Sequence, residues 1–416
     1  MHHFSYRNGQ LYCEDLPIQE LVTHVGTPCY VYSQATLQHH FRVFDQAFAS
    51  VPHLTCFSMK ANSNLAIIHL FGSMGGGVDI VSGGELFRAL KAGIPPRRIV
   101  YSGIGKTRAE IDYALQNEIL MFNIESSQEL EAINARAASL GRVAHIALRI
   151  NPDVDPKTHP YISTGMKKAK FGIDVDSAVE EYQRARRLSH VEVMGVDCHI
   201  GSQLTEISPF VDALRRIRAL IERLKEVNIA VRYLDFGGGL GITYDREKPP
   251  HPDEYAQAIL KELGDLPCTL IFEPGRVIVG NAGILVTQVL YTKTSPTKQF
   301  VIVDAAMNDL VRPSFYGSYH HIQPLQAAAE TPTQVVDVVG PICESGDFLA
   351  RDRELPVVQP GEFLAVMSAG AYGFTMASNY NSRPRSAEVL VKGDAYTIIR
   401  RRETWDDLIR GEVLST

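Results

Sequence analysis

Apolar and polar residues follow two alternating patterns through the middle of the chain. Short apolar runs typical of buried strands are each followed by a stretch in which apolar residues recur every three or four positions, as on one face of a helix. The strand-like runs are LTCFSM, GVDIV, RIVYS, LMFNI, HIALRI, MGVDCHI, VRYLDF and CTLIF. Their alternation with helices predicts an α/β fold built on a parallel (β/α)8 barrel. An open, doubly wound sheet is the alternative, because strand order is not visible in a sequence.

The two ends of the chain follow a different pattern. Near the N-terminus, Asn8 and Gly9 stand between two short alternating runs, which is a strong signal for a β-hairpin. After the run Glu273, Pro274, Gly275 and Arg276 the helical periodicity fades, and turns separate the apolar runs ILVTQVLYT, FVIVDA, TQVVDVVG, EFLAVMS and AEVLVKG. We therefore predict two domains. A barrel covers residues 36–281, and a mostly β domain, sandwich-like or barrel-like, combines residues 1–35, including the hairpin, with residues 282–416.

Composition and charge exclude several classes of partner. The chain has 416 residues, of which 45% are hydrophobic and 21% charged, so two globular domains are expected. Its net charge of −6 and the lack of a long basic run argue against binding to nucleic acid or to an anionic membrane. No apolar stretch is long enough to predict a membrane span. The six cysteines form no CxxC pair, which predicts neither a metal site nor a disulfide framework. Together with the absence of a signal-peptide pattern, this favours the cytoplasm.

Chemically versatile residues follow the predicted strands, where barrel enzymes carry their active sites. They are Lys60, Asp79, His199, Ser202, the run Gly237, Gly238 and Gly239, and the run Glu273, Pro274, Gly275 and Arg276. Each alone has an ordinary structural explanation, such as a lysine that reaches solvent or a flexible glycine turn. Together they supply an amine for an aldehyde, backbone N–H groups for a phosphate, a carboxylate for a ring nitrogen and an imidazole that can stack on a ring. These are the requirements of pyridoxal phosphate as an electron sink.

Two motifs that would imply nucleotide binding fail on inspection. The GGGLGI run does not fit the dinucleotide pattern GxGxxG. Gly105, Lys106 and Thr107 match the end of a phosphate-binding P-loop, but Val100 stands where its first glycine belongs. We therefore predict no nucleotide site.

The order of motifs along the whole chain closely resembles the diaminopimelate decarboxylases, members of the barrel-plus-β-domain class of pyridoxal-phosphate enzymes. The motifs are GTPCYVY, FSMKAN, GVDIVSGGEL, HPYISTGMKKAKFGI, HIGSQ, FGGGLGI, EPGR, MNDLVRPSFYGSYH, GPICESGD and GAYGFTMASNYN. Each motif alone is weak, but their joint order is specific.

The resemblance implies a role for each candidate residue. Catalytic roles fall to Lys60, His199, Glu273 and Cys343, with Lys60 bonded to the cofactor aldehyde and Cys343 as the acid. Cofactor contacts are implied for Lys60, Asp79, His199, Ser202, Gly237, Gly238, Gly239, Glu273, Pro274, Gly275, Arg276 and Tyr372. Substrate contacts are implied for Arg276, Arg312, Tyr316, Glu344 and Tyr372.

The implied reaction converts meso-diaminopimelate to L-lysine and CO2, in a homodimer whose two chains share their active sites. Arg276 and Arg312 with Tyr316 could hold the distal carboxylate of this substrate, and Glu344 its distal ammonium. Another basic amino-acid decarboxylase is the main alternative, although paired arginines would be misplaced there. An amino-acid racemase and a non-catalytic homologue remain as further alternatives. A carboxylate at the ring nitrogen argues against the racemase, and the presence of Lys60 and Cys343 argues against the inactive homologue.

Overall fold

The computed structural model describes residues 2–155, 170–327 and 331–415. Contacts within the chain divide it into two units. One consists of Phe41–Ile242 and Lys248–Val277, and the other of Met1–His40, Thr243–Glu247 and Ile278–Thr416. The sequence-based domain limits given above stay a prediction beside these units. Most of the HPYISTGMKKAKFGI motif, residues 159–169, lies outside the described residues.

The chain begins with a small antiparallel sheet that contains the predicted hairpin. The elements of this segment are β1 (Phe4–Arg7), β2 (Gln10–Cys13), β3 (Leu16–Pro17), α1 (Ile18–Val25), β4 (Cys29–Ser33) and α2 (Gln34–Ala47). Strands β1 and β2 pair from Phe4 with Cys13 to Arg7 with Gln10. The turn residues Asn8 and Gly9 both have positive φ angles, 50° and 77°, which the tight hairpin turn requires. The hairpin prediction is therefore confirmed.

Eight parallel strands then close into a barrel, which confirms the predicted (β/α)8 fold and excludes the open sheet. The strands of this region are β5 (His53–Ser58), β6 (Gly77–Ile80), β7 (Ile99–Tyr101), β8 (Met121–Ile124), β9 (Ala144–Asn151), β10 (Ile173–Asp174), β11 (Val191–Asp197), β12 (Tyr233–Asp235) and β13 (Thr269–Phe272). Among the described residues, strand β10 pairs only with β9, and it stands outside the ring. The ring closes where β13 pairs with β5.

Helices connect the barrel strands as the periodicity predicts. They are α3 (Leu65–Ser73), α4 (Gly83–Lys91), α5 (Arg108–Gln116), α6 (Ser127–Ser139), α7 (Ala178–Arg187), α8 (Ser208–Glu226), α9 (Pro252–Leu263) and the short α10 (Arg276–Val279). Five of them start at a side chain that accepts a hydrogen bond from the first turn, supplied by Asn64, Ser82, Thr107, Ser126 and His251. Within the described part of the chain, no helix is both long and apolar enough to cross a membrane.

The interior of the barrel is apolar along the strands and polar at their C-terminal ends. A buried cluster that includes Cys56, Val100, Met121, Ala147 and Ile271 fills it with side chains from strands all around the ring. The last residues of several strands are instead polar and buried, among them Ser58, Asp79, Asn123, Asp197 and Asp235. Buried polar groups are costly unless they are paired, so this ring of polar strand ends marks the region where the fold holds a site.

The remainder of the chain forms a mostly β unit, as predicted. Its elements are β14 (Gly283–Thr294), β15 (Gln299–Val303), α11 (Arg312–Tyr316), β16 (Ile322–Pro324), β17 (Thr333–Val339), β18 (Phe348–Pro356), β19 (Phe363–Val366), β20 (Ala387–Lys392), β21 (Ala395–Arg400) and α12 (Trp405–Leu408). The main sheet has the order β18-β17-β15-β14-β4-β20-β21. The N-terminal segment thus enters this sheet through β4, while the hairpin forms a separate sheet with β3 and packs on the same hydrophobic core.

Candidate active site

Lys60 lies two residues beyond the end of β5 and faces a buried carboxylate. Its Nζ is 3.2 Å from Oδ2 of Asp79, which sits in the adjacent strand β6. The hydroxyl of Ser58 donates to the same oxygen at 2.8 Å. The side chain of Lys60 is 38% exposed, whereas that of Asp79 is fully buried. The lysine is therefore held at the mouth of the barrel by an acid below it, and does not simply extend into solvent.

The glycine run after β12 lies against the residues that follow β11. Its backbone N–H groups are used in different ways: Gly237 donates to Oδ1 of Asp235 at 3.1 Å, and Gly238 donates to Nδ1 of His199 at 3.2 Å. The N–H of Gly239 makes no hydrogen bond within the described residues. The sequence suggested a loop of bare N–H groups, but only Gly239 keeps one for a ligand.

His199 is held as a neutral ring. Burial lowers its pKa well below the usual range for histidine, and the positive charges of Arg149 and Lys60 lower it further. Because Nδ1 accepts from Gly238, the proton of the neutral ring lies on Nε2. A flat, uncharged imidazole is suited to stacking on an aromatic ring.

Glu273 lies buried just beyond the end of β13. One of its carboxylate oxygens accepts from the hydroxyl of Ser102 at 3.1 Å and from the amide of Asn123 at 3.4 Å. Burial raises the pKa of Glu273 well above its usual range, and the neighbouring carboxyl of Asp235 raises it further. This carboxyl therefore holds a proton to a higher pH than an exposed glutamate does.

The residues after Glu273 tie the last barrel strand to the first. The carbonyl of Pro274 accepts from the N–H of Ser58 at 3.1 Å. A Cβ atom on Gly275 would lie 3.1 Å from Cβ of Ala61 and 3.2 Å from Cβ of Ser58, so a larger residue here would crowd the end of β5. These contacts fix the place of Glu273 relative to the end of β5.

Arg276 begins α10 and reaches back to the loop after β11. It is 6% exposed, and one of its guanidinium nitrogens donates to the hydroxyl of Ser202 at 3.1 Å. Two residues for which the resemblance implies cofactor contacts, Ser202 and Arg276, are therefore in contact with each other.

A second group of predicted residues lies in the β unit, around Arg312. This side chain is buried at the start of α11 and donates to the hydroxyl of Tyr244 at 2.8 Å and to that of Ser318 at 3.2 Å. Its guanidinium also lies 4.7 Å from the centroid of the Tyr244 ring. Tyr316, the last residue of the same short helix, is half-buried. The arginine is therefore fixed in orientation before any ligand binds.

Cys343 and Glu344 lie in the exposed loop between β17 and β18. The N–H of Cys343 donates to Oδ1 of Asn381 at 3.2 Å, and the hydroxyl of Tyr380 donates to Glu344 at 2.7 Å. The setting matches the predicted one, a polar loop and not a core strand. All six cysteines are free, and Cys343 is the exposed one among them.

Tyr372, in the GAYGF motif of the β unit, has an unusual backbone conformation. Its φ angle is 55°, a left-handed value that is unfavourable for residues other than glycine. The side chain is half-buried. Such strain is found most often where a side chain is held for a function.

The predicted residues are divided between the two units. The barrel unit holds Lys60, Asp79, His199, Ser202, Gly237, Gly238, Gly239, Glu273, Pro274, Gly275 and Arg276. The β unit holds Arg312, Tyr316, Cys343, Glu344 and Tyr372.

Several residues that shape the site were not found from the sequence. In the barrel they are Ser58, Ser102, Asn123, Arg149, Asp197 and Asp235. A usable signal existed for Asn123, Asp197 and Asp235, because each is a polar residue near the end of an otherwise apolar strand. No comparable signal marked Tyr244 or Tyr380, whose contacts join distant parts of the chain.

Comparison with known proteins agrees with this geometry. The family model described as "Pyridoxal-dependent decarboxylase, pyridoxal binding domain" matches residues 34–280. Diaminopimelate decarboxylase of Aquifex aeolicus is 52% identical over 408 residues, which cover 98% of this chain and 96% of that protein. The Pseudomonas aeruginosa protein of the same name is 51% identical over 411 residues, 99% of each chain. The chain belongs to the family of pyridoxal-dependent diaminopimelate decarboxylases.

Solved structures of the family share the fold over nearly the whole chain. Diaminopimelate decarboxylase of Helicobacter pylori complexed with L-lysine is 44% identical, covers 94% of this chain and 98% of its own, and has a TM-score of 0.91. The protein from M. jannaschii in complex with L-lysine is 40% identical, covers 100% and 99%, and has a TM-score of 0.95. A lysine/ornithine decarboxylase from Vibrio vulnificus, at 21% identity and a TM-score of 0.79, shows the fold alone.

The cofactor of the family is pyridoxal phosphate, and the residues of the barrel mouth fit it. Lys60 offers an amine, Gly239 an N–H group, and Glu273 a buried carboxyl that can hold a proton. In addition, Oδ1 of Asp79 is buried without a hydrogen-bond partner in the described structure, so polar capacity remains beside Lys60. The chain is a pyridoxal-phosphate-dependent decarboxylase.

Proposed function

We propose that this chain converts meso-2,6-diaminopimelate to L-lysine and CO2, the last step of lysine biosynthesis. The observation that carries the proposal is the near-full-length identity of 52% and 51% to proteins named diaminopimelate decarboxylase. The sequence identity to the lysine/ornithine decarboxylase from Vibrio vulnificus is only 21%. Another basic amino-acid decarboxylase is therefore the weaker candidate.

The barrel residues would hold the cofactor and control its protons. Pyridoxal phosphate, when bound, supplies an electron sink for the electron pair left on Cα as CO2 departs. Lys60 would hold the cofactor's aldehyde carbon until the amine of the substrate replaces it. His199 would stack its neutral ring on the cofactor. Glu273 would keep a proton on the ring nitrogen, which makes the ring a stronger sink.

The anionic end of the cofactor has its own set of donors. Gly239 would give its N–H group, and the contact between Ser202 and Arg276 places a hydroxyl and a positive charge in one spot. Gly237 and Gly238, whose N–H groups are used within the protein, would act by their close packing. These donors favour a phosphate over an uncharged group.

The β unit would supply the residues that choose the substrate. Arg312, oriented by Tyr244 and Ser318, would bind the distal carboxylate together with Arg276 and Tyr316. A substrate with an ammonium group beside that carboxylate also needs an acid, and Glu344 is the candidate. These roles explain why a diacid diamine would be preferred over ornithine.

The proton that replaces CO2 on Cα needs a positioned acid. Cys343 is the candidate, since its thiol is exposed in a loop that also carries Glu344. Tyr372, in its left-handed conformation, would contact the phosphate and the substrate. None of these roles requires a metal.

We further propose that the protein works as a homodimer in the cytoplasm. In the family that the sequence resembles, the loop with Cys343 and Glu344 completes the active site of the partner chain. Six free cysteines suit a reducing compartment.

A direct assay tests the proposed reaction. Purified protein is incubated with pyridoxal phosphate and meso-diaminopimelate, and CO2 and lysine are measured, with ornithine, arginine and lysine as competing substrates. We expect lysine and CO2 from diaminopimelate alone. Preferential release of CO2 from ornithine would favour the alternative decarboxylase, and exchange of the Cα hydrogen with solvent without CO2 would favour a racemase.

A further inference from the structure

Glu273 belongs to a larger cluster of buried acids. Oxygen atoms of Asp197, Asp235 and Glu273 lie within 4.8 Å of one another; the first two residues end their strands, and Glu273 directly follows the neighbouring strand β13. All three residues are at most 5% exposed. Carboxyl groups so close together in a buried site cannot all be ionised, because like charges raise one another's pKa.

Few positive charges offset this cluster. The charged and titratable groups that face it from the surrounding elements are Lys60, Asp79, Glu125, Arg149, His199 and the buried thiols of Cys56 and Cys198. Of the two cations, Arg149 is already paired with Glu125 at 2.8 Å and lies 4.0 Å from Asp197. Lys60 is 3.2 Å from Asp79. Protons must therefore neutralise part of the cluster.

The hydrogen bonds show where such protons fit. Asn123 donates to Asp235 at 3.0 Å and to Glu273 at 3.4 Å, while its own carbonyl oxygen is buried without a donor in the described structure. Asp197 likewise has a buried carboxyl oxygen with no partner there. The carboxyls of Asp235 and Glu273 therefore meet at the same amide group, and a proton on either one removes the repulsion between them.

The pKa directions agree with the geometry. Burial raises the pKa of Asp235 to about 6. Burial and then the charge of Asp235 raise the pKa values of Asp197 and Glu273 well above the usual range. The cluster therefore holds protons to a higher pH than exposed carboxyls do.

We propose that Asp235 and Asp197 are positioning residues that share a proton with Glu273 in the cofactor-free protein, and that Glu273 gives up this proton when the protonated ring nitrogen of the cofactor binds beside it. In this step the O–H bond of Glu273 would break, its electron pair would stay on the carboxylate, and water would take up the proton. No other reactant is needed. The inference rests on the proposed role of Glu273 at that nitrogen.

Counting protons during cofactor binding tests the proposal. Pyridoxal phosphate is titrated into cofactor-free protein by calorimetry, at constant pH near neutrality in buffers of different ionisation enthalpy, so that the proton uptake is measured directly. In Asp235→Asn the pKa of Glu273 falls and its stored proton is lost. Uptake from the buffer should then rise by about one proton per site compared with wild type. Asp197→Asn should change the proton uptake in the same direction. It serves as the test if Asp235→Asn folds poorly.

Asp309 provides a matched control in the β unit. It is buried, accepts hydrogen bonds from Ser386 and from the N–H of Ala306, and burial raises its pKa to about 6, as for Asp235. A carboxyl with a raised folded-state pKa stabilises the protein at low pH and loses this contribution as the pH rises towards that pKa. Asp235→Asn and Asp309→Asn should therefore both flatten the decline in the denaturation midpoint of cofactor-free protein between about pH 4 and 6.

Asp235→Asn and Asp309→Asn should differ only in the number of protons taken up when the cofactor binds. If Asp235→Asn and Asp197→Asn leave the uptake as unchanged as Asp309→Asn does, the two acids are structural and the proposal is wrong. It is also wrong if magnesium or manganese raises the denaturation midpoint of wild type but not of Asp235→Asn, because the oxygens would then hold a metal ion in place of protons. Neither measurement uses the amino-acid substrate, so failure of the proposed decarboxylation would leave both results intact.

Discussion

Replacing Gly237 by alanine should displace the imidazole of His199. A Cβ atom built at Gly237 would lie 2.7 Å from Nδ1 of His199, 2.9 Å from its Cβ and 3.0 Å from the carbonyl oxygen of Cys198. The backbone at this position also has a φ angle of 64°, which favours glycine. The substitution therefore combines an unfavourable backbone with a collision against a proposed catalytic ring.

The two contributions can be separated by magnitude. A left-handed backbone destabilises a residue other than glycine by about 1–2 kcal/mol. Forcing an extra methyl group into a packed site adds about 1–3 kcal/mol. Gly393, in the turn between β20 and β21, has nearly the same φ angle of 62°, but no atom lies within 4 Å of the place that an alanine methyl group would occupy there. Gly393→Ala should therefore show the backbone contribution alone.

Chemical denaturation of the cofactor-free variants measures this difference, and titration with pyridoxal phosphate measures its effect on binding. We expect Gly237→Ala to be less stable than Gly393→Ala by about 1–3 kcal/mol. Its cofactor affinity should fall about tenfold or more, which corresponds to about 1.4 kcal/mol, since the hydrogen bond from Gly238 to His199 is lost. Equal stability of the two variants, with unchanged cofactor affinity, would refute the argument that contact with His199 requires a glycine at position 237.

Three further predictions concern the proposed chemistry. Lys60→Ala should abolish both the absorption of the bound cofactor and turnover, and borohydride should label Lys60 in wild type; labelling of another lysine would contradict the assignment. Arg312→Ala should weaken diaminopimelate binding by about 2–5 kcal/mol and lysine binding much less, because only diaminopimelate has a distal carboxylate. Equal losses of affinity for the two ligands in competition assays would mean that Arg312 does not bind that carboxylate. Mixing inactive Lys60→Ala and Cys343→Ala proteins under conditions of subunit exchange should restore about a quarter of the wild-type sites; demonstrated exchange without activity would mean that each chain builds its own site.

The barrel could be predicted from the sequence because its strands and helices carry opposite periodicities. Runs such as LTCFSM and CTLIF are buried on both faces and are short, so they match strands, and the amphipathic stretches between them match helices. Lys60 and Glu273 could be placed for the same reason. Each follows such a run, and parallel strands bring their C-terminal ends to one end of a barrel.

The role of β4 could not be predicted in the same way. All five residues of CYVYS are buried, but the strand pairs with β14 and β20, which lie more than 200 positions away in the sequence. Local periodicity carries no information about such pairing. The sequence therefore led us to the hairpin as the N-terminal contribution to the β domain, although β4 supplies the strand of the main sheet.

The hydrogen-bond partners of the glycine N–H groups could not be predicted from the sequence either, because they depend on backbone angles. Gly237 and Gly239 have φ angles of 64° and 119°, and these turn successive N–H groups in different directions. As a result one points at Asp235 and the next at His199. A run of three glycines indicates conformational freedom, but not which conformation the chain adopts with it.

The order of residues along each strand end explains how one mouth can suit both ends of the cofactor. The buried acids Asp197 and Asp235 are the last residues of β11 and β12, whereas Ser202 and Gly239 follow them by five and four residues. A residue advances about 3.3 Å along an extended chain, so this spacing can separate donors for an anion from the acids. Negative charge in the strands would then favour a proton on the ring nitrogen without repelling the phosphate. The same separation predicts different effects for two variants. Asp235→Asn should change the number of protons exchanged on cofactor binding more than it changes the affinity for inorganic phosphate. Arg276→Ala should weaken phosphate binding more than it changes the number of protons exchanged.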